Sequence, residues 1–144
     1  MIYFDAAYIT KCYVAEPGSE EVLELAQSHP GRACAIHGRA EFFSAIRRHV
    51  REANLPRPEA EKVLRQFLLD EAADLWSFLP LHRGVVEAAC VHLSALPDDV
   101  PCRAADALHL TCAMRNGFQA IYSNDRHLLA AAPHFGIEGI NVVA

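Results

Sequence analysis

The chain has 144 residues, 52 % hydrophobic and 22 % charged, with a formal net charge of −5. That apolar share excludes a disordered chain, and the length suits one domain, residues 1–144, with a real core. No apolar run approaches the ~20 residues that span a bilayer, so no membrane association is expected. The opening Met1-Ile2-Tyr3-Phe4-Asp5 lacks the basic and long apolar regions of a secretion signal. Five scattered cysteines (Cys12, Cys34, Cys90, Cys102, Cys112) form no Cys-x-x-Cys pair. They read as reduced thiols of a cytoplasmic protein rather than as zinc ligands. Eleven of the 13 basic residues are Arg, the type suited to bidentate phosphate contacts. Arg47, Arg48, Arg51 and Arg57 cluster around His49, as a solvated helix face or as a nucleic-acid contact. Setting aside the four acids discussed below, 14 acidic residues face 13 basic ones. The composition therefore permits RNA binding without demanding it.

Met1 to Phe4 is a short apolar run suited to a buried strand, with Asp5 at its carboxyl end. Ala6 to Val14 reads as a helix stopped by Glu16-Pro17-Gly18. Ser19 suits an N-cap for the next helix, with Glu20 and Glu21 in its first turn. His29-Pro30-Gly31 breaks that helix. Ala33 to Ile36 reads as a second strand, followed by a turn at His37-Gly38 and a helix from about Arg39 to Ala53. Phe42, Phe43, Ile46 and Val50 mark its apolar side, and Glu41 falls in its first turn. Pro58 opens a further helix, with Val63, Leu64, Phe67 and Leu68 on one side. These two helices are expected to form an antiparallel hairpin, with apolar surface for the core or for a partner.

Leu75 to Leu79 is the third strand candidate, closed by Pro80. Val85, Val86, Ala89 and Leu93 then mark a helix. Another runs from about Arg103 to Asn116 and ends at Gly117. Ala120 to Ser123 reads as a fourth strand. A short helix follows Asp125, from Arg126 to Ala132, and Ile140 to Val143 reads as the last strand. Strands alternating with helices point to an α/β fold with a mainly parallel sheet. Ligands of such sheets bind beyond the carboxyl ends of the strands.

Asp5, Glu41 and Asp125 are each expected where a strand gives way to a helix. Asp106 opens the helix at Arg103. Each has a plain structural explanation: Asp125 as an N-cap, Glu41 as complement to a helix dipole, Asp106 as a partner of Arg103. A lone Asp5 at the end of a buried strand is harder to explain that way. Gathered together, four carboxylates repel by roughly 1–4 kcal/mol for each close pair. A hard divalent ion, Mg²⁺ or Mn²⁺, removes that conflict. Such an ion acidifies a bound water and stabilises a departing phosphodiester oxygen. Ser123 can bind a phosphate or water of the site, or simply end its strand. Lys11 and Arg126 can reach a phosphate, or be surface charges. His109 shares a helix face with Asp106 and reads as a packed, hydrogen-bonded ring or as a base or ligand.

Four blocks together resemble the PIN-domain family. Ile2-Tyr3-Phe4-Asp5-Ala6-Ala7 with Lys11 resembles its opening. Ala40-Glu41-Phe42-Phe43-Ser44-Ala45 resembles its second acidic block. Arg103-Ala104-Ala105-Asp106-Ala107-Leu108-His109-Leu110 is the most specific match, to the third. Tyr122-Ser123-Asn124-Asp125-Arg126-His127-Leu128 resembles the fourth, with Ser123 where Thr is usual. The order and spacing hold from residue 2 to about 136.

The resemblance implies a three-layer α/β/α sandwich around a parallel sheet and a Mg²⁺-dependent ribonuclease. Asp5, Glu41, Asp106 and Asp125 would be its metal-binding and catalytic acids. Small chains of this type are similar to VapC toxins of toxin–antitoxin pairs, which form homodimers and are held inactive by a cognate antitoxin. Two other readings stay open: an RNA maturation or decay nuclease without antitoxin, and a non-catalytic RNA-binding module. A phosphate-receiver domain is disfavoured because no Lys follows Lys62. An Asp-x-Asp phosphatase is disfavoured because Ala6 and Ala7 follow Asp5.

Overall fold

A computed structural model describes residues 1–143; Ala144, the last residue of the expected domain, lies outside them. The strands are short. They are β1 (Ile2–Tyr3), β2 (Arg32–Ala35), β3 (Trp76–Leu79), β4 (Ala120–Tyr122) and β5 (Glu138–Ile140). β2 pairs in parallel with both β1 and β3, and β4 pairs in parallel with β5. A parallel bridge between Phe4 and Tyr122 joins the two groups. The sheet therefore runs β3-β2-β1-β4-β5, with chain direction shared throughout.

The helices are α1 (Ala6–Tyr13), α2 (Ser19–Gln27), α3 (Ile36–Arg51), α4 (Arg57–Ala72), α5 (Arg83–Ala95), α6 (Ala104–Arg115) and α7 (Arg126–Ala131). A 3-10 turn follows at Ala132–Phe135. Side chains alternate across a strand, and that alternation builds two cores. Phe4 and Cys34 point to one face, where they meet Tyr8, Ile9, Phe42 and Phe67 from α1, α3 and α4. Tyr3, Ala33 and Ala35 point to the other, against Val85, Ala89, Leu110 and Leu128 from α5, α6 and α7. The result is the expected three-layer α/β/α architecture. Burying one aromatic such as Phe4 or Phe67 contributes roughly 1.5–3 kcal/mol.

α6 lies close on the sheet because Ala107 and Ala113 present little bulk and are fully buried. It ends where Gly117 takes a positive φ of 82°, a conformation that favours glycine. Two expectations are corrected. His37 and Gly38 do not form a turn: α3 begins at Ile36 and contains both. Glu41 is consequently the sixth residue of α3, one turn deeper than expected. The last strand is Glu138–Ile140 rather than Ile140–Val143. Val142 and Val143 instead lean against the core under α1. There the Tyr8 hydroxyl donates to Asn141 Oδ1 and accepts from the Val142 N–H. Among the described residues no helix is long and apolar enough to cross a membrane.

Candidate active site

The sheet changes direction of growth at β1. From β1 the chain passes through α1 and α2 to β2 on one side, and β4 takes the place on the other side only after α6. Such a switch point leaves a crevice beyond the strand ends. Asp5 follows β1 and caps α1, accepting the Tyr8 N–H at 3.0 Å. Asp125 follows β4 and caps α7, accepting the N–H groups of His127 at 2.8 Å and Leu128 at 3.3 Å. Asp106 sits in the first turn of α6, and Glu41 comes from α3. All four carboxylates line one open cavity of about 560 Å³, with Arg48, Arg103 and His109 also on its wall.

The crowding is visible in the acids themselves. Burial pushes the Asp5 carboxyl from 3.8 up to about 6, although hydrogen bonds from Ser123 and the Tyr8 N–H pull it down. Burial raises Asp106 too, and the Asp125 charge raises it further. Arg103 Nε stands 3.5 Å from Asp106 Oδ2, and that buried oxygen has no hydrogen-bond donor. Burial likewise pushes Glu41 up, but the hydrogen bond from His109 and the nearby Arg103 charge outweigh it and leave it lowered. A starved, buried carboxylate oxygen beside three more acids is what an all-oxygen cation site needs. The donor set fits a hard divalent ion.

Supporting side chains fix two of the acids. Ser123 donates to Asp5 Oδ2 while its Oγ accepts the Asp125 N–H at 2.9 Å, which ties the two strand ends together. His109 is fully buried between Tyr3 and Glu41, its Nε2 2.5 Å from Glu41 Oε1 and its Nδ1 2.8 Å from the Tyr3 hydroxyl. An ionised carboxylate only accepts, so Nε2 carries the proton and Nδ1 accepts from Tyr3. The Tyr3 oxygen in turn accepts the Ala35 N–H at 2.8 Å. Glu41 is thus aimed by a chain of hydrogen bonds that starts in β2.

The structure does not bring Lys11 or Arg126 into this cavity. Lys11 is six residues past Asp5, about 120° away around a helix of 100° per residue. Its Nζ turns to Glu16 at 3.3 Å and the Pro17 carbonyl at 2.9 Å. Arg126 is exposed at the start of α7, outside the lining residues. The cation in contact with the acids is Arg103, whose Nη2 reaches Asp125 Oδ2 at 3.2 Å. It bridges two of the acids, a role its sequence position three residues before Asp106 only half suggested. The arginine cluster divides. Arg48 reaches the cavity wall, Arg47 and Arg57 line a separate groove, and His49 pairs with Glu16 at 2.7 Å. Glu16 is a fifth acid on the wall, masked in the sequence by its place in a helix-breaking Glu-Pro-Gly.

A protein-family model described as PIN domain matches residues 2–133. The chain belongs to the PIN domain family. Solved structures agree on the fold. VapC20 of Mycobacterium tuberculosis, described as a sarcin-ricin loop-cleaving toxin, is 16 % identical with a TM-score of 0.71, covering 91 % of this chain and 95 % of its own. FitAcB of Neisseria gonorrhoeae is 18 % identical with a TM-score of 0.72 over 99 % of this chain and 98 % of its own. FitAB bound to an IR36 DNA fragment is 15 % identical with a TM-score of 0.65, over 99 % and 95 %. A comparison with curated proteins found no match. The cavity at the switch point is therefore the crevice of a PIN fold, lined by the acids of all four blocks.

One consequence concerns stability in the absence of metal. The folded state holds the Asp5 proton to higher pH than the unfolded chain does. Its contribution therefore favours folding at low pH and is lost as pH rises from about 4 to about 6. At pH 7.5 the charged carboxylate costs at most about 3 kcal/mol. Asp5→Asn is expected to stabilise the metal-free protein by about 1–3 kcal/mol at pH 7.5 and to lose that advantage near pH 4. Urea unfolding in EDTA at the two pH values measures it. An equal difference at both would mean that the charge is not the cause.

Proposed function

We propose that this chain, read as a single nuclease domain over residues 1–144, is a Mg²⁺-dependent endoribonuclease. Its biological role is that of a toxin in a VapBC-like toxin–antitoxin pair. The observation that carries the reading is four carboxylates around one cavity at the sheet's switch point, one of them with a buried oxygen that accepts no hydrogen bond from the described residues. Membership of a nuclease family supports it. So does the likeness to a toxin described as cleaving the sarcin-ricin loop. The apolar groove beside α3 and α4, lined by Phe43, Ile46 and Leu64, and the exposed Leu68 and Leu69 of α4 support a protein partner. The reading assigns these surfaces to an antitoxin and a second copy of the chain, and places the protein in the cytoplasm.

In this mechanism Asp5, Glu41, Asp106 and Asp125 would hold the cation, Mg²⁺ or Mn²⁺. The chemistry it would supply there is a more acidic water and stabilisation of the departing oxygen. The chain's own residues do the rest. Ser123 and His109 keep Asp5 and Glu41 aimed. Arg48, exposed on the cavity wall, receives the phosphate backbone. Arg103 is mostly exposed and, among the described residues, is held only by Asp106 and Asp125. Its exposed guanidinium would face a phosphate that enters the cavity.

The test is cleavage of total cellular RNA by partner-free protein, with Mg²⁺ and with EDTA. Discrete fragments that require Mg²⁺ are expected. Folded protein that binds RNA but cleaves neither total RNA nor purified tRNAs would overturn the reading in favour of a binding module. Cleavage that persists in EDTA would overturn the metal assignment.

A further inference from the structure

Behind the acidic cavity, α3 and α6 bring two histidines against Glu41. One donor atom from each of His37, Glu41 and His109 lies within 4.8 Å of the others. His37 and Glu41 are one helical turn apart on α3, with His37 Nε2 3.7 Å from Glu41 Oε1. The corresponding His109 Nε2 distance is 2.5 Å, and the two imidazole rings lie 4.1 Å apart. Tetrahedral ligands on an ion at about 2.0–2.1 Å stand about 3.3 Å from one another, and the observed 2.5 and 3.7 Å straddle that value.

From this geometry we propose that His37, Glu41 and His109 form a second cation site, selective for a borderline transition-metal ion such as Zn²⁺, that competes with the acidic site for Glu41. Two imidazoles and one carboxylate suit Zn²⁺, whereas Mg²⁺ prefers oxygen ligands and keeps its waters. Without an ion both Nε2 atoms carry the ring proton, and an ion bound there would take the place of those two protons. His37 Nε2 stands 3.0 Å from the Ala105 carbonyl. A carbonyl only accepts, so that nitrogen carries the ring proton. The ring's other nitrogen, Nδ1, is buried without a partner. That nitrogen is free to take up the ring proton when Nε2 binds an ion. His109 has the Tyr3 hydroxyl behind its Nδ1, so the ring is already oriented. Glu41 is the most exposed of the three side chains and the one able to move.

Both rings face the same Glu41 oxygen, Oε1. An ion on the histidines takes its carboxylate away from Asp5, Asp106 and Asp125. Zinc would then oppose Mg²⁺, and this last clause alone rests on the nuclease reading above.

The binding test needs no RNA, so it stands whether or not the chain cleaves. Metal-free wild-type protein is titrated with Zn²⁺ against a chromophoric chelator, in excess Mg²⁺, and compared with His37→Gln. One Zn²⁺ that millimolar Mg²⁺ does not displace is expected. An affinity lower by at least about 10-fold in His37→Gln, with Mn²⁺ affinity at the acids unchanged, is also expected. Equal Zn²⁺ affinity in the two proteins would overturn the proposal, as would displacement of the Zn²⁺ by Mg²⁺. A measurement without any variant is the visible spectrum of the Co²⁺-loaded wild type. Intense four-coordinate bands support nitrogen ligation, and a weak six-coordinate spectrum alone contradicts it. Where cleavage is observed, Zn²⁺ should slow it in wild type more than in His37→Gln, each against its own zinc-free rate. Equal inhibition would overturn the competition for Glu41.

Discussion

Replacing Asp106 with asparagine is expected to reduce Mg²⁺-dependent RNA cleavage by at least about 100-fold while leaving the protein folded and able to bind RNA. Groups that merely orient a metal ligand are worth about 10–100-fold, so a direct ligand sets that range as a floor. The asparagine keeps the shape of the side chain but halves its acceptors and removes its charge. The stability effects are small and opposed. Losing a carboxylate in the first turn of α6 gives up about 0.3–1 kcal/mol of helix-dipole interaction. Losing a buried charge that Asp125 repels gives back a comparable amount, since burial and Asp125 both work against ionisation there. The one cation beside it, Arg103, is mostly exposed, so that ion pair is worth little. A melting temperature close to wild type, RNA binding retained and cleavage lost would together place Asp106 in the chemistry. Full activity on a cleavable RNA would show that the acids are not the metal site.

Three of the four acids stand beside a signal that sequence carries well, whereas Glu41 lies one turn deeper in α3 than expected. Asp5 and Asp125 follow short apolar runs, and Asp106 opens a long alanine-rich helix after Pro101. What the sequence hid were directions and distances. Lys11 lies on the correct helix, but the helical rotation turns it to Glu16. Arg103 could be read as a partner of Asp106, while its contact with Asp125 spans 22 residues that only the fold brings together. The last strand was misplaced because Val142 and Val143 look more strand-like than Glu138-Gly139-Ile140. Parallel pairing of Ala120 to Tyr122 with those three residues overrides that local preference. His37-Gly38 resembles a turn for a similar reason. The glycine is there for a close approach between α3 and β2, and the sequence does not distinguish that use from a turn.

That close approach sets the other large expectation. A methyl group on Gly38 would stand 2.2 Å from Cys34 Sγ and 3.1 Å from His109 Cε1. Cys34 is buried in the sheet, so its sulfur has little room to withdraw. Gly38→Ala is therefore expected to destabilise the protein by about 1–3 kcal/mol, as overpacked cores do. It should also weaken cleavage by pressing on the ring that aims Glu41. Cys34→Ala alone leaves a small void and costs about 1 kcal/mol. In the double variant the new methyl enters the space that the sulfur left. Alanine is also better than glycine inside a helix by roughly 0.5–1 kcal/mol. Gly38→Ala should then change sign, harmful in wild type and neutral or stabilising once Cys34 is alanine. Urea unfolding of the four proteins gives the coupling directly, expected at about 1–3 kcal/mol. Additive effects would mean that His109 rather than Cys34 resists the methyl group, and the loss of cleavage would then persist undiminished in the double variant.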